Sequence, residues 1–404
     1  MKKQKIMRNV VVATLLLFSF RANDCTALAN DNSSPPAAPG GAILQKPPET
    51  ESGKAREPTT DSVAIDMAGL KTLSWVIDQV ASKKIIYTGE YHDRFSSHVV
   101  ELQVIKELFR KNPSIAIGME MFQRPFQKVL DDYISGAIGE EEFLRKSEYF
   151  SRWGYDFNLY KPILDFARAE RIPVVALNAR REITDKVAKG GTDSLSPEEK
   201  KEIPIQMDLS DDSYRDRLKQ VFAEHKNPGE KNFDFFYEAQ VVWDETMALS
   251  LDEYLRKNSS RQMIVIAGSG HVAYGSGIPK RAFRRNGYAY ATILNDADVE
   301  RGIGDYLVFP ETAEGETAPK LMALLKEENG KVTVKDFPED SVSRKAGIRV
   351  GDTVLALDNS PVQTVADIRI VLFFKHHGEA VKVKVMRKRF LLGERALEFD
   401  VVLP

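Results

Sequence analysis

Two short motifs constrain this chain most: GEYH at residues 89–92 and GSGH at residues 268–271, each delivered by an apolar, β-rich run. Ile85-Ile86-Tyr87-Thr88 precedes the first and Met263-Ile264-Val265-Ile266-Ala267 the second. A strand that runs into a glycine turn and then a helix is how open α/β sheets set chemistry at strand carboxyl ends. Both turns place a histidine three residues after a glycine, and the first adds Glu90. Two histidines and a carboxylate, presented alike from distant segments, predict one site assembled from two strand ends.

The pattern between the motifs supports such a sheet. A helix is expected from His98 to Arg110, then a strand from Ile115 to Met119 closing on Glu120. Mixed helical character covers Phe126 to Arg145. A helix from Tyr160 to Arg168 follows, then a strand from Val174 to Leu177 ending on Asn178. Residues 185–232 are charged and lack strand signals, with helix starts at Ser196-Pro197-Glu198-Glu199 and at Ser213, and read as a helical excursion over the sheet. A long helix from Phe233 to Lys257 leads into the GSGH strand, and Tyr288–Leu294 and Tyr306–Phe309 finish the unit. Repeated β-then-α order predicts an α/β domain over residues 62–310, a mainly parallel sheet with helices on both faces.

After a short linker, Glu311 to Pro319, the grammar changes. Short alternating strands at Lys331–Val334, Thr353–Leu357, Val381–Met386 and Leu397–Val402 surround one helix, Val365–Phe374, and predict a small β-rich domain over residues 318–404.

The chain's start reads as an export signal. Lys2, Lys3, Lys5 and Arg8 precede an uncharged run from Val10 to Phe20, too short to span a bilayer, and Ala27-Leu28-Ala29 offers a cleavage site before Asn30. Residues 1–29 are therefore expected to be a signal peptide, and a periplasmic or cell-envelope location follows. Cys25 could carry a lipid anchor, but Asp24 stands where a lipobox wants a small residue. Residues 30–61, rich in Pro, Gly, Ser and Thr, cannot bury enough apolar surface to offset their ordering entropy and read as a disordered tether. Lys plus Arg (57) nearly balance Asp plus Glu (59), so no nucleic-acid partner is expected.

Reading only strand termini gives Glu90, His92, Glu120, Asn178 and His271. Imidazole and carboxylate together suit a divalent metal ion such as zinc, iron or manganese, and serve equally as general acid and base. On the hydrolytic reading, His92, Glu120 and His271 hold the metal and Glu90 activates water.

These residues carry a family resemblance. GEYHD, the MEMF stretch at 119–122, RWGYDFNLYKPIL at 152–164, PVVALN at 173–178 and IAGSGHVAYGSGIPKR at 266–281 together resemble the ChaN-like haem-binding lipoproteins of the Tiki/TraB/erythromycin-esterase superfamily. The resemblance spans about residues 65–310 and implies a role in haem or iron uptake, with haem held at a dimer interface, hence a homodimer. Its Tiki-type relatives are metal-dependent peptidases with paired GxxH motifs, which match Gly89–His92 and Gly268–His271 here. Haem needs an apolar cleft, an axial ligand and a cationic rim. The axial candidates by motif are His98, Tyr155 and Tyr160. The family's paired histidines after the GExHD motif are reduced here to His98 in Ser96-Ser97-His98-Val99-Val100-Glu101.

Residues 337–362, from Phe337-Pro338-Glu339 through Gly347-Ile348-Arg349-Val350-Gly351-Asp352 to Pro361-Val362, resemble bacterial PDZ domains. The resemblance implies capture of peptides or protein carboxyl termini, with Lys320–Leu324 as the carboxylate loop and Ala323 in place of a frequent glycine. The leading expectation is an exported haem- or iron-binding protein with a peptide-binding module. The alternative is a metal-dependent hydrolase whose PDZ domain selects substrates.

Overall fold

The computed structural model describes residues 65–223, 232–389 and 393–404. The expected signal peptide, Cys25 and the tether over residues 30–61 lie outside the described residues.

Six strands form the first sheet: β1 (Ile85–Glu90), β2 (Ile115–Gln123), β3 (Val174–Asn178), β4 (Gln262–Gly268), β5 (Tyr290–Asn295) and β6 (Tyr306–Val308). Their order is β3-β2-β4-β1-β5-β6, and every pair is parallel. Alternation along the strands splits their side chains between two apolar layers. Ile86, Ile117, Ile264 and Ile266 enter one, while Ile85, Tyr87, Met263 and Val265 enter the other. A sheet buried on both faces needs near-continuous apolar strands, and β1, β2, β3 and β4 are buried at every position.

The helices before the GSGH strand are α1 (Leu73–Val80), α2 (Phe95–Lys111), α3 (Gln127–Ser135), α4 (Glu140–Lys146), α5 (Tyr149–Arg152) and α6 (Lys161–Ala169). Next come α7 (Arg181–Gly190), α8 (Pro197–Lys200) and α9 (Asp212–Ala223), across the expected helical excursion, and then the long α10 (Phe233–Lys257). Two small helices, α11 (Ser269–Val272) and α12 (Ile278–Asn286), follow β4. The expected mixed stretch 126–145 divides into α3 and α4 because Gly136 adopts a left-handed conformation (φ 79°) and its N–H closes α3 on Asp132 and Tyr133. Ser196 starts α8 through a capping box with Glu199, as its spacing predicts.

The second sheet is antiparallel. Strands β7 (Leu324–Glu328), β8 (Lys331–Asp336), β9 (Thr353–Leu357), β11 (Ala380–Arg389) and β12 (Gly393–Val402) run in the order β12-β11-β9-β8-β7, and β10 (Ser360–Pro361) pairs β9. Val332, Val354, Leu357, Val381, Val383 and Val401 close its core with α14 (Val365–Phe373), after the small α13 (Val342–Ala346). Strand β7 is an addition to the sequence expectation, which treated residues 320–324 as a loop and placed no strand after it. Among the described residues it pairs with β8 alone, at one edge.

The two domains pack together through α14. Ile368 and Leu372 point into the β-rich core, whereas Ile370, on the other side of the helix, belongs to the α/β core. The Phe373 ring lies edge-on to Phe157 at 5.5 Å and near Phe150 at 6.4 Å. Arg145 pairs with Asp367 at 3.3 Å, and the Ala318 N–H donates to Asp156 at 2.7 Å.

Candidate functional site

Sheet order explains the convergence of distant residues. Because β4 lies between β2 and β1, the carboxyl ends that carry Glu120, the GSGH turn and Glu90 are neighbours. In register, Glu90 stands opposite Gly268. The Gly268 N–H donates to Glu120 Oε2 at 2.7 Å, and His271 Nε2 lies 3.5 Å from Glu120 Oε1. His92 closes the corner: a Cβ on Gly268 would lie 2.8 Å from its Nε2 and 3.6 Å from Glu120 Oε2. Gly268 is thus a glycine because His92 occupies the space its side chain would need. Asn178, at the end of β3, donates to the Glu120 carbonyl at 3.0 Å and so supports β2 where its register with β3 breaks.

Each histidine at this corner has its Nδ1 held by a buried carboxylate. Glu90 Oε1 lies 2.5 Å from His92 Nδ1, and Asp244 Oδ1 lies 2.7 Å from His271 Nδ1. A carboxylate on one ring nitrogen sets the tautomer and turns the other nitrogen outward. Asp244 comes from α10 and is itself held: Tyr214 donates to it at 2.7 Å, and the buried Arg281 guanidinium lies 3.9 Å away. Burial alone would lower the His271 pKa, but Glu120 and Asp244 push it up to about 9.

Behind Glu90 lies a deeper layer. Tyr160 donates to Glu90 Oε1 at 2.8 Å. His98 Nδ1 faces Glu90 Oε2 at 3.2 Å and Glu101 Oε2 at 3.0 Å, while its Nε2 lies 3.2 Å from the His92 carbonyl. Burial would raise the Glu90 carboxyl, yet His98 and His92 hold it well below the ordinary carboxylate range. Burial would lower His98, but Glu90 and Glu101 push it up to about 10. Burial, reinforced by Glu90, drives the Glu101 carboxyl well above its ordinary value. The His98 ring therefore sits between two carboxyl groups that their surroundings push in opposite directions.

Of the expected site residues, the fold brings Glu90, His92, Glu120 and His271 together. His98 (3% exposed) and Tyr160 (0%) join them from behind rather than at the opening. Tyr155 is half-buried beside His92, its ring 5.3 Å away. Trp153 meets the His92 ring edge-on at 4.8 Å, and Trp243 meets His271 at 6.0 Å. These two indoles, with Met121, Arg152 and Arg181, line a depression over the corner. Asp185 lines it too, and both arginines are paired: Arg152 with Glu148 and Glu182, Arg181 with Asp185 at 3.4 Å.

As a metal centre, the expected set is looser than expected. Among the described residues, one group of three possible ligands has donor atoms all within 4.8 Å of one another, and it is Glu90, His98 and Glu101, not His92, Glu120 and His271. Two contributors escaped the sequence reading. Glu101 lies three residues from His98 on α2, a helical spacing that places both on one face. Asp244 lies on α10, and nothing local marks its partner His271, 27 residues away.

A family model described as haem-binding uptake, Tiki superfamily, ChaN matches residues 76–282, and a PDZ-domain model matches residues 319–402. Among solved structures, the chain is similar to ChaN of Campylobacter jejuni with cofacial haem bound, at 15% identity and a TM-score of 0.49, over 59% of this chain and 91% of that one. It is also similar to an erythromycin esterase mutant in its open conformation (14% identity, TM-score 0.34, 55% of this chain and 72% of that one). A third likeness is to the type III effector HopBA1 (13% identity, TM-score 0.36, 58% and 91%). No curated protein matches the chain. With the family model covering residues 76–282, half of the chain, and the parallel sheet and strand-end motifs in place, this protein belongs to the ChaN family of haem-binding proteins in the Tiki superfamily and carries a carboxyl-terminal PDZ domain.

Proposed function

We propose that this chain is an exported haem- or haem-iron-binding protein, whose α/β domain takes haem against the mouth of the His92–Glu120–His271 corner and whose PDZ domain takes a partner's carboxyl terminus. Family membership carries the haem reading. The chemistry beside the corner supports the group: Trp153, Trp243 and Met121 offer apolar surface, Arg152 and Arg181 would have to exchange their carboxylate partners for propionates, and Tyr155 is the half-buried phenol 5.8 Å from Trp153. Of the three expected axial candidates, Tyr155 is the one that is not buried. Burial, with Asp93 and Glu90 nearby, holds its phenol above the ordinary value, so iron binding there would release a proton. Strand β7, paired at one edge among the described residues, supports the peptide reading, because an extended chain can add to it as a further strand.

The test is a haemin titration of residues 30–404 followed by visible absorption and sedimentation. The expected result is a saturable spectral shift that Tyr155→Phe weakens at least about tenfold, the loss of one strong ligand, with a second copy recruited as haem saturates. A non-saturating response, identical in Tyr155→Phe, would overturn the reading.

One observation favours a second reading, hydrolysis. Two histidines, each backed by a buried carboxylate, flank Glu120 as a general base and a general acid would. In this geometry Glu90 does not reach the opening itself; it orients His92, which becomes the group that takes a proton from water. His271, cationic below about pH 9, would protonate the leaving group. Cleavage of ester or peptide substrates that disappears in His92→Gln and Asp244→Asn supports this reading, and equal turnover in both variants excludes it.

A further inference from the structure

We propose that Glu90, His98 and Glu101 form a site for one divalent transition-metal cation, beneath the haem mouth and separate from it. Three features of the geometry point there. First, the donor atoms converge within 4.8 Å, and the His98 Nδ1 distances to Glu90 Oε2 (3.2 Å) and Glu101 Oε2 (3.0 Å) are those of neighbouring ligands in one coordination sphere. Metal–ligand bonds of about 2.1 Å at tetrahedral or octahedral angles separate adjacent ligand atoms by about 3.0–3.4 Å.

Second, the ring is set for ligation. His98 Nε2 is committed to the His92 carbonyl, so it carries hydrogen, and Nδ1 is the nitrogen aimed between the two carboxylates. A ligating histidine whose other nitrogen donates to a backbone carbonyl is the usual outer-shell arrangement of protein metal sites. Glu90 is steadied in the same way, since Tyr160 and His92 both engage its Oε1 and leave Oε2 turned inward.

Third, the site has unused ligand capacity where it should be costly. Glu101 Oε1 and Glu90 Oε2 accept no hydrogen bond, although both side chains are fully buried. A buried carboxylate oxygen that no donor reaches is costly unless a proton or a cation faces it. Two carboxylates and one neutral imidazole balance a divalent charge; two protons in the same space are the competing occupant. Mixed carboxylate and imidazole ligation suits manganese, iron(II) or zinc.

The inference stands apart from the haem reading, because it concerns residues behind the mouth and is tested on haem-free protein. Full-length protein without a Soret band would be analysed for manganese, iron and zinc by plasma mass spectrometry, alongside Glu101→Gln, His98→Gln and Glu120→Gln. We expect about one equivalent of metal per chain, retained in Glu120→Gln and lost in Glu101→Gln and His98→Gln. Chelator treatment should lower the thermal midpoint of the wild-type chain, and manganese or zinc should restore it. Metal lost in Glu120→Gln but kept in Glu101→Gln would overturn the assignment by placing the ion at the outer corner. Wild-type protein that is metal-free as purified, and whose midpoint ignores both chelator and added metal, would overturn it outright and leave protons as the occupants.

Discussion

Ile370 offers a direct measure of how far the PDZ domain supports the α/β domain. It lies on α14, a helix of the β-rich domain, but its side chain is 4% exposed and belongs to the α/β core, while its neighbours Ile368 and Leu372 fill the β-rich core. Truncation to alanine removes three carbons, about 2.4 kcal/mol at about 0.8 kcal/mol each. A partly relaxed cavity adds to this, giving about 3 kcal/mol in the intact chain. In an isolated fragment, residues 318–404, the same side chain would face water, and the change should stay within about 0.5 kcal/mol. All three tryptophans, Trp75, Trp153 and Trp243, lie in the α/β domain, so indole fluorescence reports only that half. With a urea dependence of about 3 kcal/mol per molar, the fluorescence-detected midpoint of Ile370→Ala should fall by about 1 M. Leu372→Ala is the control, destabilising the fragment as well because its side chain fills the domain's own core. An unchanged tryptophan transition in Ile370→Ala, or an equal loss in the fragment, would refute the view that α14 is shared.

Other consequences concern the site. The His271 pKa is raised in the folded chain to about 9, above an unfolded value near 6.5. The His271–Asp244–Glu120 interaction therefore contributes fully below about pH 6.5 and is lost as pH rises through about 9, on the order of 3 kcal/mol in all. Urea midpoints measured across that window should fall in the wild-type chain and flatten in Asp244→Asn; parallel curves would contradict the assignment. Gly268→Ala should keep the fold's circular dichroism while displacing His92, whose Nε2 would lie 2.8 Å from the new methyl, and should lower turnover or haem affinity by about a hundredfold. Gly277→Ala is harsher, since the added carbon would lie 2.1 Å from the His271 backbone carbonyl, and a thermal midpoint lowered by several degrees is expected.

Much of the α/β fold was legible because its signals are local. Strands β1 and β4 announce themselves as apolar runs and the long helix Phe233–Lys257 matches its expected span, but Gly89 and Gly268, read as turn residues, belong to the strands themselves. The exceptions share a cause. Strand β7 was missed because LLKEE lacks β-branched residues and owes its conformation to pairing with β8. Strand β2 runs on through Glu120 to Gln123, where packing on β3 and the Asn178 bond hold residues whose own pattern had ended.

The sequence by itself determined which residues could do chemistry and that strand ends would present them: Glu90 and His92 from one run, His271 from a second, Glu120 from a third. Only the tertiary structure decided how those groups divide the work. Strand order put β4 between β1 and β2, and α10 brought Asp244 across to His271. Burial then turned Glu90 and His98 inward to Glu101, lined the depression with the two indoles, and left Tyr155 half-buried. The physical reason is that ionisation and ligation depend on neighbours within a few ångströms and on exclusion of water, and chain order specifies neither.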